Sequence, residues 1–493
     1  MRRLRMAGAA LLAAALSLGG GRLAAQALTI DEATALAAGN AASVKAASAQ
    51  LSSATAAEAA ARAAYMPTIT ASASGAYLPY PPQTTITLDA GALGTSKIWG
   101  PAPPSDGGVF NANGTYSGPL KQYSVSMPSN NISFVETNEH SYFKGNVTFA
   151  QPLVAWGKIR AAVEAARHGT EAALASHNAA VLDAVRGANR AYYSARVSRE
   201  SAAILAELRG LAAQIVADRE STVNQGLATQ ADLLSSRADL VDIDARIVDA
   251  REGEASALAS LAVLTGRPGL ADPAKVEYGS DYRSSLPAVD ESSFTQAAVS
   301  SSTDRALAAA RFAQATSKLD LERGSSMLLP DLALFASLDA SGQTVPFSEA
   351  GGDWWDNTWT WSLSVGVQVS MNVFDGGRSW ADIASAKADR DATAAALAGS
   401  SDAARLVARQ ALQAARHAEA ALRSDEARAA WTAEILRNAS LSSSNQLLSR
   451  QDYNRAAIQD AGARLELLAA RYAFEEALAD LERLAPKAFG AHP

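Results

Sequence analysis

The strongest constraint on this chain is a tandem duplication. Each half of the 493-residue sequence contains, in the same order, a strand, a loop, a second strand and a helical hairpin. The first half has the longer loop, between Tyr77 and Tyr142. Three pairs of positions anchor the match: Pro67 with Pro330, Gly157 with Gly377, and Leu234 with Leu448. Such a repeat predicts one elongated unit of two similar halves, not several independent domains.

Proline-free segments rich in alanine, leucine, arginine and glutamate predict long helices. The first begins near residue 28, where Thr29 and Glu32 resemble a capping box. The others cover residues 158–223, 227–265, 291–327, 378–437 and 446–484. Two of them would be about 90 to 100 Å long at roughly 1.5 Å per residue.

A seven-residue apolar repeat runs along two of these helices. Its members are Leu233/Leu234, Leu240/Val241 and Ile247/Val248 in the first hairpin, and Leu467, Phe474 and Leu481 near the C-terminus. A sustained heptad indicates coiled-coil packing, because an isolated surface helix drifts toward a 3.6-residue period. The helices alone fit a soluble coiled-coil spacer equally well.

Four segments of about ten residues alternate between apolar and polar side chains, which predicts half-buried strands. They cover residues 68–77, 142–153, 331–339 and 361–371. The last alternates most strictly, and we expect Leu363, Val365, Val367 and Val369 to face a membrane. Tryptophans flank it at Trp354, Trp355, Trp359 and Trp361, as expected at a membrane interface.

Four strands are too few to close a membrane barrel, since the smallest known need about eight. The chain must therefore associate with copies of itself if its strands are to enter a bilayer. Three copies would supply about twelve strands, with polar faces inward and apolar faces toward lipid.

Charge and residue content exclude other classes of function. A net charge of -7 disfavours nucleic acid as a partner. With no cysteine and five scattered histidines, we expect no metal site and no cofactor. The sequence contains no P-loop, no GxGxxG after a strand and no HExxH, so we expect no catalytic residues and no enzyme activity.

The N-terminal residues MRRLRMAGAALLAAALSLGG combine a basic start with a short apolar run, and AAQA follows. This pattern predicts a secretory signal peptide over residues 1–27. We expect a first repeat over 28–270 with a loop at 78–141, a linker at 271–290, a second repeat over 291–484 with a loop at 341–360, and a C-terminal tail at 485–493.

Several of these segments together resemble a known family. They are LTIDEATALAAGN, YMPTITAS, QPLVAWGK with its partner NVFDGGRS, GLATQADLL at a helical turn, and LTGRP at the end of a hairpin. In this order and duplicated, they are similar to the TolC outer-membrane efflux family over residues 28–484. The resemblance implies a mainly α fold with membrane β structure, in which each protomer of a trimer gives four strands to a twelve-stranded barrel and long coiled-coil helices to a periplasmic tunnel.

The resemblance also implies location and partners. The strands would lie in outer-membrane lipid, the helices in the periplasm, and residues 271–290 in an equatorial belt. The homotrimer would dock to a periplasmic adaptor and to an inner-membrane pump of the RND or ABC type. Its function would be that of a passive exit duct for small molecules or polypeptides, in efflux or type I secretion. The alternative from another class is a secreted trimeric coiled-coil structural protein or adhesin without a channel.

The helical turns are the site for which the resemblance implies roles. Gly226 and Leu227 match a family Gly-Leu at the adaptor-docking tip, although a plain helix end has the same pattern. Asp232 matches an aspartate that holds the periplasmic gate shut, and Arg437 stands where its partner is expected. Gln446 and Ser449 replace a pair of gate aspartates in the second hairpin, which puts cation binding there in doubt.

Overall fold

Helices and strands separate into two units in the computed structural model of the chain. The helical unit includes residues 28–63, 156–326 and 373–486, and the β unit lies within residues 64–155 and 330–371. The structure describes residues 28–77, 79–80, 83–88, 96–111, 115–125, 132–137, 141–326, 330–342, 359–371, 373–445 and 448–486. The expected signal peptide and residues 487–493 of the expected tail lie outside these ranges.

Eight α-helices build the helical unit as described. In chain order they are α1 Ile30–Asn40, α2 Ala42–Ala63, α3 Lys158–Asn224, α4 Gln230–Thr265, α5 Glu291–Ser301, α6 Thr303–Ser326, α7 Arg378–Ser444 and α8 Arg450–Leu484. Along the N-terminal half of α3 the neighbours are α2 and α6, whereas its C-terminal half packs between α4 and α8. Among the described residues, no helix has the length and apolar composition needed to cross a bilayer.

The duplication is visible in the cores of the two hairpins. Gly157 and Gly377 both cap 67-residue helices from the left-handed region, with φ of 83° and 90°. Three pairs of almost fully buried side chains occupy equivalent places: Tyr192 and Leu412, Leu258 and Leu478, Leu261 and Leu481. The pairing of Gly157 with Gly377 is therefore confirmed.

The pairing of Leu234 with Leu448 is wrong. Thr229 and Ser449 are the N-cap residues of α4 and α8, and their side chains accept hydrogen bonds from the backbone N–H groups of Asp232 and Asp452. Leu448 therefore precedes its helix, whereas Leu234 lies inside α4. The similar sequences LLSSR (residues 233–237) and LLSR (residues 447–450) do not occupy equivalent places. The first lies inside α4, whereas the second runs into the start of α8, because the N-cap residues determine where each helix begins.

Two predicted helices are each interrupted once, at equivalent places. The helix expected over residues 291–327 breaks at Ser302, whose hydroxyl accepts a hydrogen bond from the N–H of Arg305 at 3.2 Å. The first helix breaks likewise at Ala41. A serine side chain that caps a new helix start competes with continuation of the old helix, and the heptad pattern does not reveal this competition.

The linker between the repeats packs on the first core. Leu28 forms a parallel bridge with Tyr278, and the Tyr192 hydroxyl donates to the Leu28 carbonyl at 3.0 Å. The Ser280 N–H in turn donates to the Tyr192 hydroxyl at 3.1 Å. Residues 271–290 therefore join the start of the chain to the hairpin that follows the first pair of strands.

Four strands form the main sheet of the β unit, in the order β1, β8, β9, β10 and antiparallel throughout. They are β1 Thr68–Tyr77, β8 Ser141–Val154, β9 Asp331–Gly342 and β10 Trp359–Ser370. All four predicted strands are thus present. The two halves meet between β8 and β9, so β1 and β10 are the edges of the sheet.

The first loop, expected at residues 78–141, contains further strands in the parts that the structure describes. It continues the β1–β8 hairpin as nested antiparallel pairs: β2 Gln83–Leu88 with β7 Ile132–Thr137, β3 Ser96–Pro101 with β6 Leu120–Val125, and β4 Val109–Phe110 with β5 Tyr116–Ser117. Near its end the Tyr116 hydroxyl donates to the Pro119 carbonyl and accepts from the Ala102 N–H. Threonine, isoleucine, valine and tyrosine in these runs favour strands.

Candidate functional site: the amphipathic sheet and the hairpin turns

Side chains of like polarity line up across all four strands of the main sheet. Directly paired residues share a face, so the register decides which face each residue occupies. The apolar face carries three rows of this kind: Ile69, Phe149, Ala336 and Val365; Ala71, Val147, Leu338 and Leu363; Ala73, Gly145, Ala340 and Trp361. Leu363 is 71% exposed and Val365 67%, so no described residue covers this face at β10.

A polar network occupies the opposite face. The Asn146 amide donates to Ser337 at 3.0 Å and to the Asp339 carboxylate at 2.5 Å. Thr148 donates to Asn146 at 2.7 Å, and Ser337 donates to Asp339 at 2.6 Å. These bonds tie β8 to β9, where the two halves of the chain meet, and they satisfy polar groups that would be costly to leave unpaired.

Glycine and aromatic residues alternate in one further row of the apolar face. From β1 to β10 its members are Gly75, Phe143, Gly342 and Trp359. Cβ atoms added at the glycines would lie 2.8 Å from the Phe143 ring and 2.7 Å from the Trp359 ring. Each ring therefore covers the glycine opposite it. This row accounts for Trp359, while Trp354 and Trp355 lie outside the described residues.

The first hairpin turn, between α3 and α4, has a Schellman geometry. Gly226 has φ of 74°, its N–H donates to the Val223 carbonyl at 2.9 Å, and the Leu227 N–H donates to the Thr222 carbonyl at 2.9 Å. This satisfies two carbonyls of the α3 terminus. Leu227 remains 75% exposed, so helix capping explains the glycine but not the leucine.

Asp232 takes part in a capping box at the start of α4. Its carboxylate accepts from the Thr229 hydroxyl at 2.7 Å and from the Thr229 N–H at 3.1 Å, and Thr229 accepts from the Asp232 N–H at 3.2 Å. These donors hold the pKa of Asp232 below its usual value, the hydroxyl contributing most. Within one chain, the carboxylate that the family resemblance assigns to a gate therefore also stabilises its own helix end.

The other expected gate residues are placed as follows. Arg437 lies on α7 with its guanidinium 3.7 Å from Glu434, one turn earlier. Ser449 caps α8, and Gln446 lies outside the described residues. The described part of a single chain does not bring Asp232 and Arg437 together as an ion pair, so the latch between neighbouring helices stays a prediction.

Sequence reasoning missed one ion pair near the turns. Arg450, the first residue of α8, lies 3.1 Å from Asp218 of α3 and joins the two hairpins. Arginine and aspartate are common on both helices, and these two are 232 positions apart. No local pattern could have found the pair.

The heptad of α4 has two apolar seams, and the described part of the chain buries one of them. Leu233 and Ile247 are buried, at 5% and 6% exposure. The second residue of each heptad pair is more than half exposed: Leu234, Val241 and Val248. α4 therefore presents a second coiled-coil face that the described part of its own chain leaves uncovered.

Comparison with known proteins agrees with this architecture. Residues 115–267 match the family model described as outer membrane efflux protein. No match was found among curated proteins.

Solved channel structures share the fold over most of the chain. The CmeC outer membrane channel of Campylobacter jejuni is 17% identical with a TM-score of 0.66, over 92% of this chain and 85% of that one. VceC of Vibrio cholerae is 18% identical, with a TM-score of 0.63 and coverages of 92% and 96%. The MtrE outer membrane channel of Neisseria gonorrhoeae is 20% identical, with a TM-score of 0.62 and coverages of 92% and 88%. The chain therefore has the TolC-like fold of these outer membrane proteins, and its residues 115–267 match the outer membrane efflux protein family.

Proposed function

We propose that the chain acts as a homotrimeric, passive exit duct of the outer membrane. Its strands span the outer membrane and its helices extend through the periplasm. It receives small molecules or polypeptides by way of a periplasmic adaptor and an inner-membrane pump of the RND or ABC type. The pump supplies the energy, and the duct has no catalytic role.

The main sheet is the observation that carries this proposal. It has one apolar face and one polar face, and among the described strands β1 and β10 are its two edges. Unpaired backbone groups at such edges are not tolerated in lipid, so only a closed barrel suits a bilayer. One chain has four strands in this sheet, and three copies reach twelve.

The helical unit supports the same assembly. In the C-terminal half of α3 the helices lie side by side in the order α4, α3, α8, α7. The open seam of α4 is thus at one side of the row, and α7 with exposed Leu406, Trp431 and Leu441 is at the other. Joining α4 of one copy to α7 of the next would cover both and close a ring.

The hairpin turn supports the docking role. Leu227 stands exposed on a hydrogen-bonded Schellman turn, and a backbone fixed in this way lowers the entropic cost of placing an apolar side chain at an interface. We assign Gly226 and Leu227 to the adaptor interface. Asp232 of one copy and Arg437 of the next form the gate in this proposal, with Gln446 and Ser449 near it.

Cysteine crosslinking tests the barrel, because the chain has no cysteine of its own. Ser72→Cys on β1 is combined in turn with Ser362→Cys, Ser364→Cys or Gln368→Cys on β10. We expect oxidised membranes to show dimers and trimers for at least one pair. Ser72→Cys with Ser337→Cys, on the interior strand β9, should remain monomeric on denaturing gels. A monomer in detergent, or no crosslink from any β1–β10 pair, would contradict the proposal and favour the adhesin alternative.

Conductance tests the gate separately. Asp232→Ala or Arg437→Ala should raise the open current of single channels in planar bilayers, because either change removes half of the latch. An unchanged current in both variants would remove the gate from the proposal and leave the duct intact.

A further inference from the structure

A half-enclosed cavity of about 700 Å³ lies inside the helical unit. Its walls come from α1, α3, α8 and the linker between the repeats. The volume is within the usual range of about 300–1,000 Å³ for small-molecule sites. Ile30, Val181 and Val185 give it an apolar wall, and charged groups stand around that wall. The cavity is separate from the sheet, the hairpin turns and the gate residues.

One of the residues that line this cavity carries an unpaired acceptor. Asn189 on α3 is 5% exposed, and its Oδ1 atom has no hydrogen-bond partner in the described structure. Buried polar atoms are normally satisfied, and one that is not lowers the stability of the fold. Because Oδ1 can only accept, a molecule that satisfies it must bring an N–H or O–H donor.

The arginines around the cavity do not neutralise all of the carboxylates there. Each of its three arginines is already held by carboxylates: Arg186 by Asp480, Arg283 by Glu475 and Glu482, and Arg483 by Asp183. Arg283 thus has two carboxylates for one guanidinium. The carboxylate of Asp31, in the first turn of α1, has no ion-pair partner among the residues described. The site therefore favours a cation over an anion.

Copies of the chain need not cover the cavity. Its described lining includes no residue of α4 or α7, the helices whose exposed apolar seams serve trimer assembly in the proposed duct. The cavity lies where α1, α3 and α8 of the same chain meet.

We infer that this cavity binds a cationic amphiphile: a protonated or otherwise cationic amine that carries an N–H donor on an aromatic or aliphatic body. The body lies against Ile30, Val181 and Val185. The N–H donates to Asn189 Oδ1, and the positive charge lies toward Asp31. The inference does not depend on whether the chain conducts.

Fluorescence polarisation on the full-length protein in nanodiscs tests the site, with rhodamine 6G as the probe. This dye is a cation with N–H donors, and we expect saturable binding. Asn189→Leu and Asp31→Asn should each weaken binding at least tenfold. Asn189→Leu should keep or raise the melting temperature, because it removes an unsatisfied buried acceptor. If Asn189→Leu binds the dye more weakly but is as stable as the wild type, the loss of binding comes from a lost ligand contact and not from misfolding. Partition of the dye into lipid is equal for every variant and cancels.

Two matched controls sharpen the result. Glu32→Gln removes a carboxylate from the same helical turn as Asp31, but Glu32 pairs with Arg267 and does not line the cavity, so binding should not change. Tetramethylrhodamine methyl ester, a related cation without N–H donors, should bind at least tenfold more weakly than rhodamine 6G.

Three results would overturn the inference. The first is rhodamine 6G binding that Asn189→Leu leaves unchanged. The second is an equal loss of binding in Glu32→Gln and Asp31→Asn. The third is binding that appears only after residues 487–493 are deleted, which would identify the tail of the chain as the occupant of the cavity.

Discussion

Trp359 lies directly across from Gly342 on the neighbouring strand, and its indole ring occupies the space where a Cβ of residue 342 would stand, 2.7 Å away. Glycine is required here by the ring over it, not by backbone conformation. The same relation holds between Phe143 and Gly75 in the same row. An aromatic ring over a glycine shields the backbone and holds the register of two strands.

Gly342→Ala should therefore displace Trp359 and lower the temperature at which the assembled protein dissociates in detergent. Gly145→Ala is the matched control, because it lies on the same face and the nearest atom to its added Cβ is 4.0 Å away. Semi-native gel electrophoresis over a temperature series measures both. Equal dissociation temperatures for the two variants would show that the ring contributes nothing to register.

Leu227→Asp should abolish crosslinking to a periplasmic adaptor without changing thermal stability. The side chain is 75% exposed, so its replacement creates no cavity, while a carboxylate at an apolar contact is strongly unfavourable. Leu174→Asp, on the exposed side of α3 at 47%, is the control and should crosslink normally. Adaptor binding that survives Leu227→Asp would remove this residue from the interface.

Arg283→Met should destabilise the helical unit by about 3–5 kcal/mol, because it leaves Glu475 buried at 0% exposure without its cation. The double change Arg283→Met with Glu475→Gln should recover part of this loss. Urea unfolding followed by circular dichroism measures it.

Arg190→Met provides the comparison for Arg283→Met. It breaks the more exposed pair with Glu476, at 3.2 Å, and should cost less than about 1 kcal/mol. Similar losses in Arg190→Met and Arg283→Met would contradict a special role for burial.

The start of α4 should loosen in acid. The pKa of Asp232 is lowered in the folded chain by the Thr229 hydroxyl and N–H, so its folded pKa lies below the unfolded value near 3.8. A depressed pKa of this kind stabilises the folded turn above about pH 4, and the contribution is lost as pH falls through the folded pKa. Hydrogen exchange of residues 230–236, corrected for intrinsic rates, should show protection falling in that window.

Asp232→Asn should remove this pH dependence, because the amide does not titrate. If protection falls with pH equally in Asp232→Asn, another group is responsible for the acid sensitivity.

Local patterns predicted much of the fold. Strict alternation in residues 361–371 located β10, and proline-free runs with heptads located the long helices. The predicted end of α7 at residue 437 was wrong, because the helix continues to Ser444 through the serine-rich run that suggested a turn. These elements depend on side-chain periodicity, which neighbours along the chain specify. The sequence also shows Leu234, Val241 and Val248 as a seven-residue repeat, but it does not show that these side chains are exposed.

Other features depend on partners that are distant in the chain. The break at Ser302, the shifted start of α8 at Arg450 and the nested strands of residues 83–137 escaped prediction because caps and strand pairing compete with local propensity. The carboxylate of Asp232 looks the same in the sequence whether it caps a helix or faces a pore.

The sequence by itself determined the duplication and the identity of the amphipathic strands, and it predicted a need for additional copies, because periodicity and strand number are properties of the chain. Only the tertiary structure decided the register that aligns four faces into one amphipathic sheet, the place of Asp232 in a capping box, and the cavity with an unpaired Asn189. These arise from contacts between segments far apart in the chain, and packing alone brings such segments together.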